Sequence, residues 1–291
     1  MNTHADCAPC LMKRVLFQSR LVDNGTDFAA MQAAMRTYVA LMRPDINSAE
    51  IATEVHRQAY AAMGCADPYR QMKIDADAEA LKYVPAAEEF INSADDSFRA
   101  AVRVSIIGNI MDFGSGIAID SPNDFGKVFL SLLAEGVGFD QTDELHRIVT
   151  SSTTVLYAFD NCGESQFDRL LIRRIRAMGK RVVGVVRGAP ILNDVTREDA
   201  CRIGLDRELD GLVDTGTFAI GIPPRPGPAL TAELGRADVL IAKGMANYES
   251  LSDLDLPLPV AYLMRCKCLP VSKSVGVPLG TNAVRIKPAT Y

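Results

Sequence analysis

The chain has 291 residues, of which 48% are hydrophobic, and a formal net charge of −5. That apolar content is enough for the core of one large domain or two smaller ones. A negative net charge without a long basic cluster argues against an extended nucleic-acid surface, which depends on neutralising many phosphates. The sequence has no apolar run of about eighteen residues, the length that a membrane-spanning helix needs. We therefore expect a soluble cytoplasmic protein that binds neither nucleic acid nor membrane; the sequence does not indicate its oligomeric state.

Residues 1–95 carry helix signals and no strand pattern, so we predict a helical N-terminal subdomain. Asn47 and Glu50 are spaced as in a capping box, ahead of a predicted helix that ends at Gly64. Pro68 stands at a predicted first helical position, where a missing N–H does no harm. Further helices are predicted over residues 31–42, from 68 toward 81, and from 85 onward.

Residues 96–291 are predicted to form an α/β domain. After helices at about 98–106 and 121–134, short apolar strands alternate with helices. This alternation is typical of right-handed βαβ units, and therefore of a Rossmann-like parallel sheet with helices on both faces. The predicted strands cover residues 154–159, 181–186, 211–214, 237–242 and 260–263, with helices at 166–178 and 196–203.

The strand predicted at 154–159 ends abruptly in polar residues. Asp160 and Asn161 follow it, Gly163 allows a turn, and Glu164 lies in the next predicted helix. Ligands of open α/β sheets bind outside the carboxyl ends of the strands, and carboxylate and amide oxygens suit cations such as Mg²⁺ and Mn²⁺. Asp160 and Asn161 are therefore candidate metal ligands. The alternative is that Asp160 caps the helix that begins near Gly163.

Two other predicted strands also end in polar residues. Asn193 and Asp194 follow the strand at 181–186, and Lys243 follows the strand at 237–242. If these strands neighbour the first one, oxygen ligands and an ammonium group converge on one mouth, where they would bind and polarise a phosphoryl group. Each residue taken singly is explained equally well as a cap or turn residue. The three strand ends together favour a site in which Asp160, Asn161 and Asp194 hold a divalent cation.

A set of short motifs occurs in a definite order along the chain. They are Gly108-Asn109-Ile110-Met111-Asp112, Asp160-Asn161-x-Gly163-Glu164, Asn193-Asp194 after Arg187, Lys243-Gly244-x-x-Asn247-Tyr248-Glu249 and Lys267-Cys268. Over about residues 7–285 these motifs resemble the metal-dependent damage-control phosphatase family, formerly a family of unknown function. Cys7-x-x-Cys10 and Asp67-Pro68-Tyr69 resemble its prokaryotic, cysteine-bearing branch.

The resemblance implies a helical N-terminal part packed on a three-layer α/β domain, and hydrolysis of phosphate monoesters with Mn²⁺, Co²⁺, Ni²⁺ or Mg²⁺. It assigns the metal to Asp160, Asn161 and Asp194. Asn109 and Asp112 would lie beside the phosphate or the metal, and Lys243 would contact the phosphate. The other substrate-binding residues implied are Arg187, Asn247 and Glu249. Lys73 is a weaker correspondence, because Asp75 and Asp77 follow where an asparagine is expected.

The chemistry favours direct attack by metal-activated water, with Asp112 or Glu164 as the general base and Lys243 neutralising charge. The rival mechanism is a covalent phosphate on Asp160. Haloacid-dehalogenase phosphatases, which work that way, usually carry Asp-x-Asp at the strand end. Here the second position is Cys162, which disfavours the covalent route.

Seven cysteines, an odd number, make a disulfide framework unexpected. Cys7 and Cys10 have metal-ligand spacing, and Cys266 and Cys268 could complete a tetrahedral structural site for zinc or iron. The alternative is that they are free thiols or a redox pair.

The G-x-G-x-x-G fingerprint and the G-K-[ST] phosphate loop do not occur, which disfavours a nucleotide-binding protein. A Rossmann-like methyltransferase is a nearer alternative, although the glycine-rich loop that usually cradles the methionine cofactor is missing too. A non-enzymatic metal-binding or redox module that uses the cysteines is a further alternative; it predicts that replacing Cys7, but not Asp160, destroys function. We favour a phosphatase of small phosphorylated metabolites, either sugar phosphates or damaged phosphorylated metabolites. Its pocket walls are predicted to include the loops at 114–120 and 215–228.

Overall fold

The computed structural model describes residues 1–113, 119 and 121–290. These residues contain thirteen α-helices and seven strands. The helices are α1 Cys7–Val22, α2 Asp27–Leu41, α3 Ser48–Met63, α4 Arg70–Leu81, α5 Val84–Ser93, α6 Ser97–Ile107, α7 Phe125–Ala134, α8 Thr142–Ser151, α9 Glu164–Ala177, α10 Arg197–Arg202, α11 Pro228–Leu234, α12 Gly244–Leu251 and α13 Leu269–Val275. The strands are β1 Phe139–Asp140, β2 Thr154–Ala158, β3 Arg181–Val186, β4 Gly211–Asp214, β5 Val239–Lys243, β6 Val260–Arg265 and β7 Asn282–Lys287. No helix in these ranges combines the length and the apolar character required to cross a bilayer.

The seven strands form one sheet in the order β1-β7-β6-β5-β2-β3-β4. Neighbouring strands are parallel except β6 and β7, which are antiparallel. From β2 the chain proceeds to β3 and β4 on one side and then returns to β5 on the other. The topological switch therefore lies between β2 and β5, and it opens a crevice at the carboxyl ends of those strands.

The α/β fold predicted from the sequence is confirmed, although the sheet is mixed instead of wholly parallel. The five predicted strands correspond to β2 through β6. The sequence analysis missed β1, which has only 2 residues, and β7, whose second half is only partly buried. Neither strand has the continuous apolar run that marks a strand buried on both faces.

Local signals set both ends of helix α3. Asn47 precedes α3 and accepts a hydrogen bond from the Ala49 N–H at 2.9 Å, and Gly64 ends the helix with φ +62°. The prediction for Pro68 was wrong by two residues, since α4 begins at Arg70. The Arg70 N–H first closes a turn onto the Asp67 carbonyl at 3.3 Å.

Both faces of the sheet are buried. Along β2, Val155 and Tyr157 belong to one hydrophobic core, and Leu156 and Ala158 to another. The first core also contains residues of the N-terminal helices, such as Val55 of α3. Alternation of side chains along a strand thus directs one face into a core shared with α6, α9 and the N-terminal helices, while α11, α12 and α13 cover the other face.

Gly163 is the residue at which the chain turns from β2 into α9. Its φ is +82°, and a Cβ there would collide with Met111 Sδ and lie 3.0 Å from the Ala76 carbonyl oxygen. We expect Gly163→Ala to lower the free energy of unfolding by about 2–4 kcal/mol, because a strained φ, a collision with Met111 Sδ and a tight contact with the Ala76 carbonyl add together. Urea denaturation monitored by circular dichroism measures this change.

The control is Gly64→Ala, because Gly64 has a similar φ of +62° but nothing within 4 Å of the added Cβ. Gly64→Ala should lower the free energy of unfolding by only about 1 kcal/mol, the contribution of the unfavourable φ alone. Equal losses for the two variants would show that the close packing at Gly163 is unimportant.

Candidate functional site

The loops that follow β2 and β3 are joined by backbone hydrogen bonds. Asn161 and Asp194 form an isolated antiparallel bridge, and the Val195 N–H donates to the Asp160 carbonyl at 2.8 Å. Two segments that are distant in sequence therefore present Asp160, Asn161 and Asp194 side by side at the switch point. The structure brings these three oxygen-bearing side chains together as inferred, but it does not bring Lys243 to the same mouth.

Asp160 is not a helix cap. The residue that precedes α9 is Gly163, and no side chain caps that helix. The Asp160 carboxylate instead accepts hydrogen bonds from Asn161 Nδ2 at 2.9 Å and from Asn109 Nδ2 at 3.1 Å. The alternative explanation of Asp160 as a cap is therefore wrong.

Arg187 bridges the two carboxylates. Its guanidinium donates to Asp194 Oδ2 at 2.6 Å and to Asp160 Oδ1 at 3.3 Å, and its side chain is 1% exposed. A third bond reaches Asn247 Oδ1 at 3.1 Å. Burial, together with the charges of Asp194 and Glu164, raises the pKa of Asp160 well above its ordinary value. The site therefore concentrates more negative charge than Arg187 alone neutralises.

The donor set fits a hard divalent cation. Two carboxylates and one amide oxygen are ligands that Mg²⁺ and Mn²⁺ prefer, and Asp160, Asn161 and Asp194 all line one cavity. Gly244 makes room for the set, because a Cβ at that position would overlap the Asp160 carboxylate and lie 2.8 Å from Asn109 Nδ2. Its φ of +72° also favours glycine.

Lys243 lies behind this set, not on the cavity wall. Its ammonium contacts Glu164, reaches Asp168 Oδ1 at 2.8 Å, and donates to the Ser105 carbonyl at 2.8 Å. All three charged side chains are fully buried. Burial raises the pKa of Asp168 to about 7, although Lys243 opposes the shift.

Five of the candidate residues form the layer beneath the cavity. Asn109 connects Asp160 to Glu164, since its Nδ2 also donates to Glu164 Oε2 at 3.0 Å. Asn247 donates to the Phe159 carbonyl at 3.1 Å and so ties α12 to the end of β2. The side chains of this layer orient the side chains that line the cavity. The residues of this layer, which are absent from the cavity lining, are Asn109, Glu164, Arg187, Lys243 and Asn247.

A second charged group lines the cavity next to the metal-ligand candidates. The Asp112 carboxylate takes contacts from Arg14 at 2.8 and 3.0 Å and from Lys267 Nζ at 2.8 Å. Lys267 also donates to the Asn109 carbonyl at 2.7 Å. Burial alone would raise the pKa of Asp112, but Arg14 and Lys267 outweigh it and hold that pKa well below its ordinary value.

Arg14 is a site residue that the sequence analysis missed. It lies on α1, is buried, and faces the cavity. Cys7, Cys10 and Arg14 follow one another at intervals of three and four residues, which places them on one face of a helix. That spacing was the available signal.

The cavity has a volume of about 400 Å³. Asp112, Asp160, Asp194 and Lys267 lie at its polar part, and Glu249 also contributes to the wall. Its apolar wall includes Leu192, Ile220, Met245, Leu269 and Leu279. Of the two loops predicted to line it, 215–228 contributes Ile220, while most of 114–120 lies outside the described residues.

Three of the four cysteines proposed for a second metal line the same cavity, namely Cys7, Cys10 and Cys268. Cys266 does not line the cavity, because it is fully buried in the second core, against which Cys268 also packs. Burial raises the pKa of Cys268 to about 12. As the described side chains stand, no three His, Cys, Asp or Glu residues are grouped to hold a metal. The three thiols therefore share a cavity without being grouped closely enough to hold a metal, and the four-cysteine set does not form.

The segment around Lys73 supports the site from outside. Asp77 accepts a hydrogen bond from the Gly163 N–H at 2.7 Å and from Arg202 at 2.8 Å. Lys73 itself contacts Asp67 at 2.7 Å and Asp199 at 3.0 Å. Asp77, where an asparagine was expected, thus fastens the loop after β2 to helices α4 and α10.

Comparison with known proteins decides the family. The profile of the damage-control phosphatase ARMT1-like domain matches residues 3–283. The chain belongs to this family. A phosphatase is the activity that membership supports, and the resemblance noted in the sequence is confirmed.

Relatives of the whole length support the same assignment. A damage-control phosphatase from Archaeoglobus fulgidus is 35% identical over 283 residues, which cover 96% of this chain and 97% of that one. A damage-control phosphatase from Pyrococcus horikoshii is 29% identical over 287 residues, 96% of each chain. The crystal structure of a DUF89 family protein from P. horikoshii superposes with a TM-score of 0.85 at 26% identity, covering 98% of each chain.

The buried group of Lys243, Glu164 and Asp168 generates a prediction for this phosphatase-family protein. Lys243→Met leaves two carboxylates buried without their cation, so we expect a loss of about 3–5 kcal/mol in the free energy of unfolding. Unpaired buried carboxylates have raised pKa values in the folded state, so their destabilising effect grows as pH rises. The loss should therefore be larger at about pH 8 than at about pH 5 in urea titrations.

The double variant Lys243→Met/Asp168→Asn should recover part of this loss, because it removes one of the stranded charges. Lys273→Met, at an exposed position, serves as the control. A Lys243→Met protein as stable as that control would contradict the role given to this ion group.

Proposed function

We propose that this protein is a metal-dependent phosphatase of small phosphorylated metabolites. The observation that carries the proposal is the shared cavity: a set of three oxygen donors and a lysine ammonium face the same space of about 400 Å³. That space is of the size used by small-molecule sites. Family membership supports the phosphatase; the metal and the substrate are part of the proposal.

The phosphate would be held between two groups of side chains. Asp160, Asn161 and Asp194 would hold a divalent cation, and that cation would supply a Lewis acid able to polarise a phosphoryl oxygen. Lys267 supplies the opposing positive charge from the cavity wall, and therefore takes the role that the sequence analysis gave to Lys243. Phosphoryl transfer needs chiefly such positioning and charge neutralisation.

Asp112 positions its neighbouring cations and does not act as the general base. Its carboxylate, held ionised by Arg14 and Lys267, is too weak a base to take a proton near neutral pH. Glu164 lies below the cavity and is paired with Lys243. We therefore assign neither residue the base role: Asp112 positions Lys267 and Arg14, and Glu164 orients Asn109 and Asn161.

The first test is hydrolysis of an aryl phosphate by metal-stripped protein, with Mg²⁺, Mn²⁺, Co²⁺ or Ni²⁺ restored in turn. We expect activity to require the metal and Asp160→Asn to reduce it at least about a hundredfold, because the variant loses one of two charged ligands. Calorimetric titration of the same ions should show weakened binding in the variant.

Asp95→Asn, an exposed change outside the cavity, is the control and should behave as wild type. A folded protein that hydrolyses no phosphate ester with any of these ions would refute the proposal. Equal ion binding by wild type and Asp160→Asn would refute the ligand assignment alone.

The role of Lys267 has its own test. Lys267→Met should lower kcat about 10²- to 10³-fold, the loss typical of removing one group that stabilises developing charge. Lys13→Met, at the exposed rim of the cavity, is the matched control and should change kcat less than about threefold. Steady-state kinetics with Mn²⁺ measure both. A normal kcat in Lys267→Met would remove Lys267 from the phosphate site.

A further inference from the structure

We propose that the cavity selects phosphate monoesters whose organic part carries no second negative charge. This inference rests on the proposed function and narrows its substrate class. It excludes bisphosphates and phosphorylated carboxylic acids as good substrates.

The cationic side chains near the phosphate position are already paired with carboxylates. Arg14 and Lys267 both contact Asp112, so the three side chains together leave one positive charge. Arg187 is shared between Asp160 and Asp194 beneath the wall. The one surplus charge of the Arg14, Asp112 and Lys267 group is used by the phosphate itself.

The rest of the described cavity wall offers no further cation for a second anionic group. The only other lysine or arginine there, Lys13, stands at the exposed rim with Asp6, whose charge is opposite. Glu249 adds a carboxylate. His56 contributes no positive charge, because burial and the nearby Arg14 lower its pKa to about 3.

The undescribed positions 114–118 and 120 do not change this inventory, because the sequence there is Gly-Ser-Gly-Ile-Ala followed by Asp120, without lysine or arginine. The remaining wall is largely apolar, with Leu192, Ile220 and Met245 buried and Leu269 and Leu279 toward solvent. A carboxylate or second phosphate placed against this wall would lose its hydration without a partner and would face Glu249. An uncharged organic part meets no such penalty.

The test compares two esters that differ by one charge. Glycerol 3-phosphate and 3-phosphoglycerate have the same chain length, but the second carries a carboxylate in place of a hydroxymethyl group. With the wild-type holoenzyme loaded with Mn²⁺, we expect kcat/KM for 3-phosphoglycerate to be at least about tenfold lower, as for one unpaired charge in a partly buried site. Release of inorganic phosphate measures both reactions.

A gain-of-function variant makes the test specific to the cavity. Leu279→Lys places a cation at the cavity mouth, at a side chain that is 61% exposed and therefore tolerant of the change. We expect it to raise kcat/KM for 3-phosphoglycerate about threefold or more relative to glycerol 3-phosphate. Leu130→Lys, at a residue 73% exposed and outside the lining, is the control and should leave the ratio unchanged.

The outcomes separate the inference from the function on which it rests. Equal kcat/KM for the two esters, or a preference for 3-phosphoglycerate, would overturn the charge selection while leaving a phosphatase in place. The charge selection would also be overturned if Leu279→Lys left the ratio of kcat/KM for 3-phosphoglycerate to that for glycerol 3-phosphate unchanged, or if both variants changed this ratio equally. Failure to hydrolyse either ester or an aryl phosphate would overturn the proposed function, and the inference would fall with it.

Discussion

Burial of charge at the ends of three adjacent strands is the constraint on which the rest of this site depends. Asp160, Asp194, Glu164 and Asp168 bring four carboxylates into a region shielded from water, where an unpaired charge is very costly. Arg187 and Lys243 pair with them from within the protein. The pairing holds each carboxylate in one orientation, and only Asp160 and Asp194 reach the cavity.

This arrangement divides the polar residues of the site into two layers with different roles. The layer below the cavity, built on Asn109, Glu164 and Lys243, is held by hydrogen bonds to its own side chains and to backbone carbonyls. Asp160 and Asp194, which face the cavity, are held by hydrogen bonds from Asn109 and Arg187 below them, and their other sides can contact a ligand. A precise site needs such support, because small displacements of ligating or charge-stabilising groups weaken their action. The buried charges are thus best understood as the scaffold of the candidate metal ligands.

The helical region takes part in the site as well as in the core. Arg14 reaches Asp112 from α1, and Asp77 holds the turn at Gly163 from α4. The cavity lies where these helices meet the carboxyl ends of the strands, which is where an open α/β sheet binds its ligands. Neither part forms the site alone, because the cavity wall contains Arg14 of α1 together with Asp160 and Asp194, which follow β2 and β3.

The sequence by itself determined the α/β fold, the central strands and the identity of the residues at their ends. It did so because a strand buried on both faces must be continuously apolar, and because polar residues after such a strand stand out. It did not determine β7 or β1, whose patterns are mixed or too short. Nor could it separate Lys243 from Lys267, since both are lysines near strand ends.

Only the tertiary structure decided which lysine is paired inside and which faces the cavity, and it added Arg14 through the docking of α1. It also buried Cys266 within the second core, whereas Cys268, which packs against that same core, lines the cavity with Cys7 and Cys10. Side-chain direction and the partners across an interface are long-range properties. Residue type and spacing along one segment do not contain them.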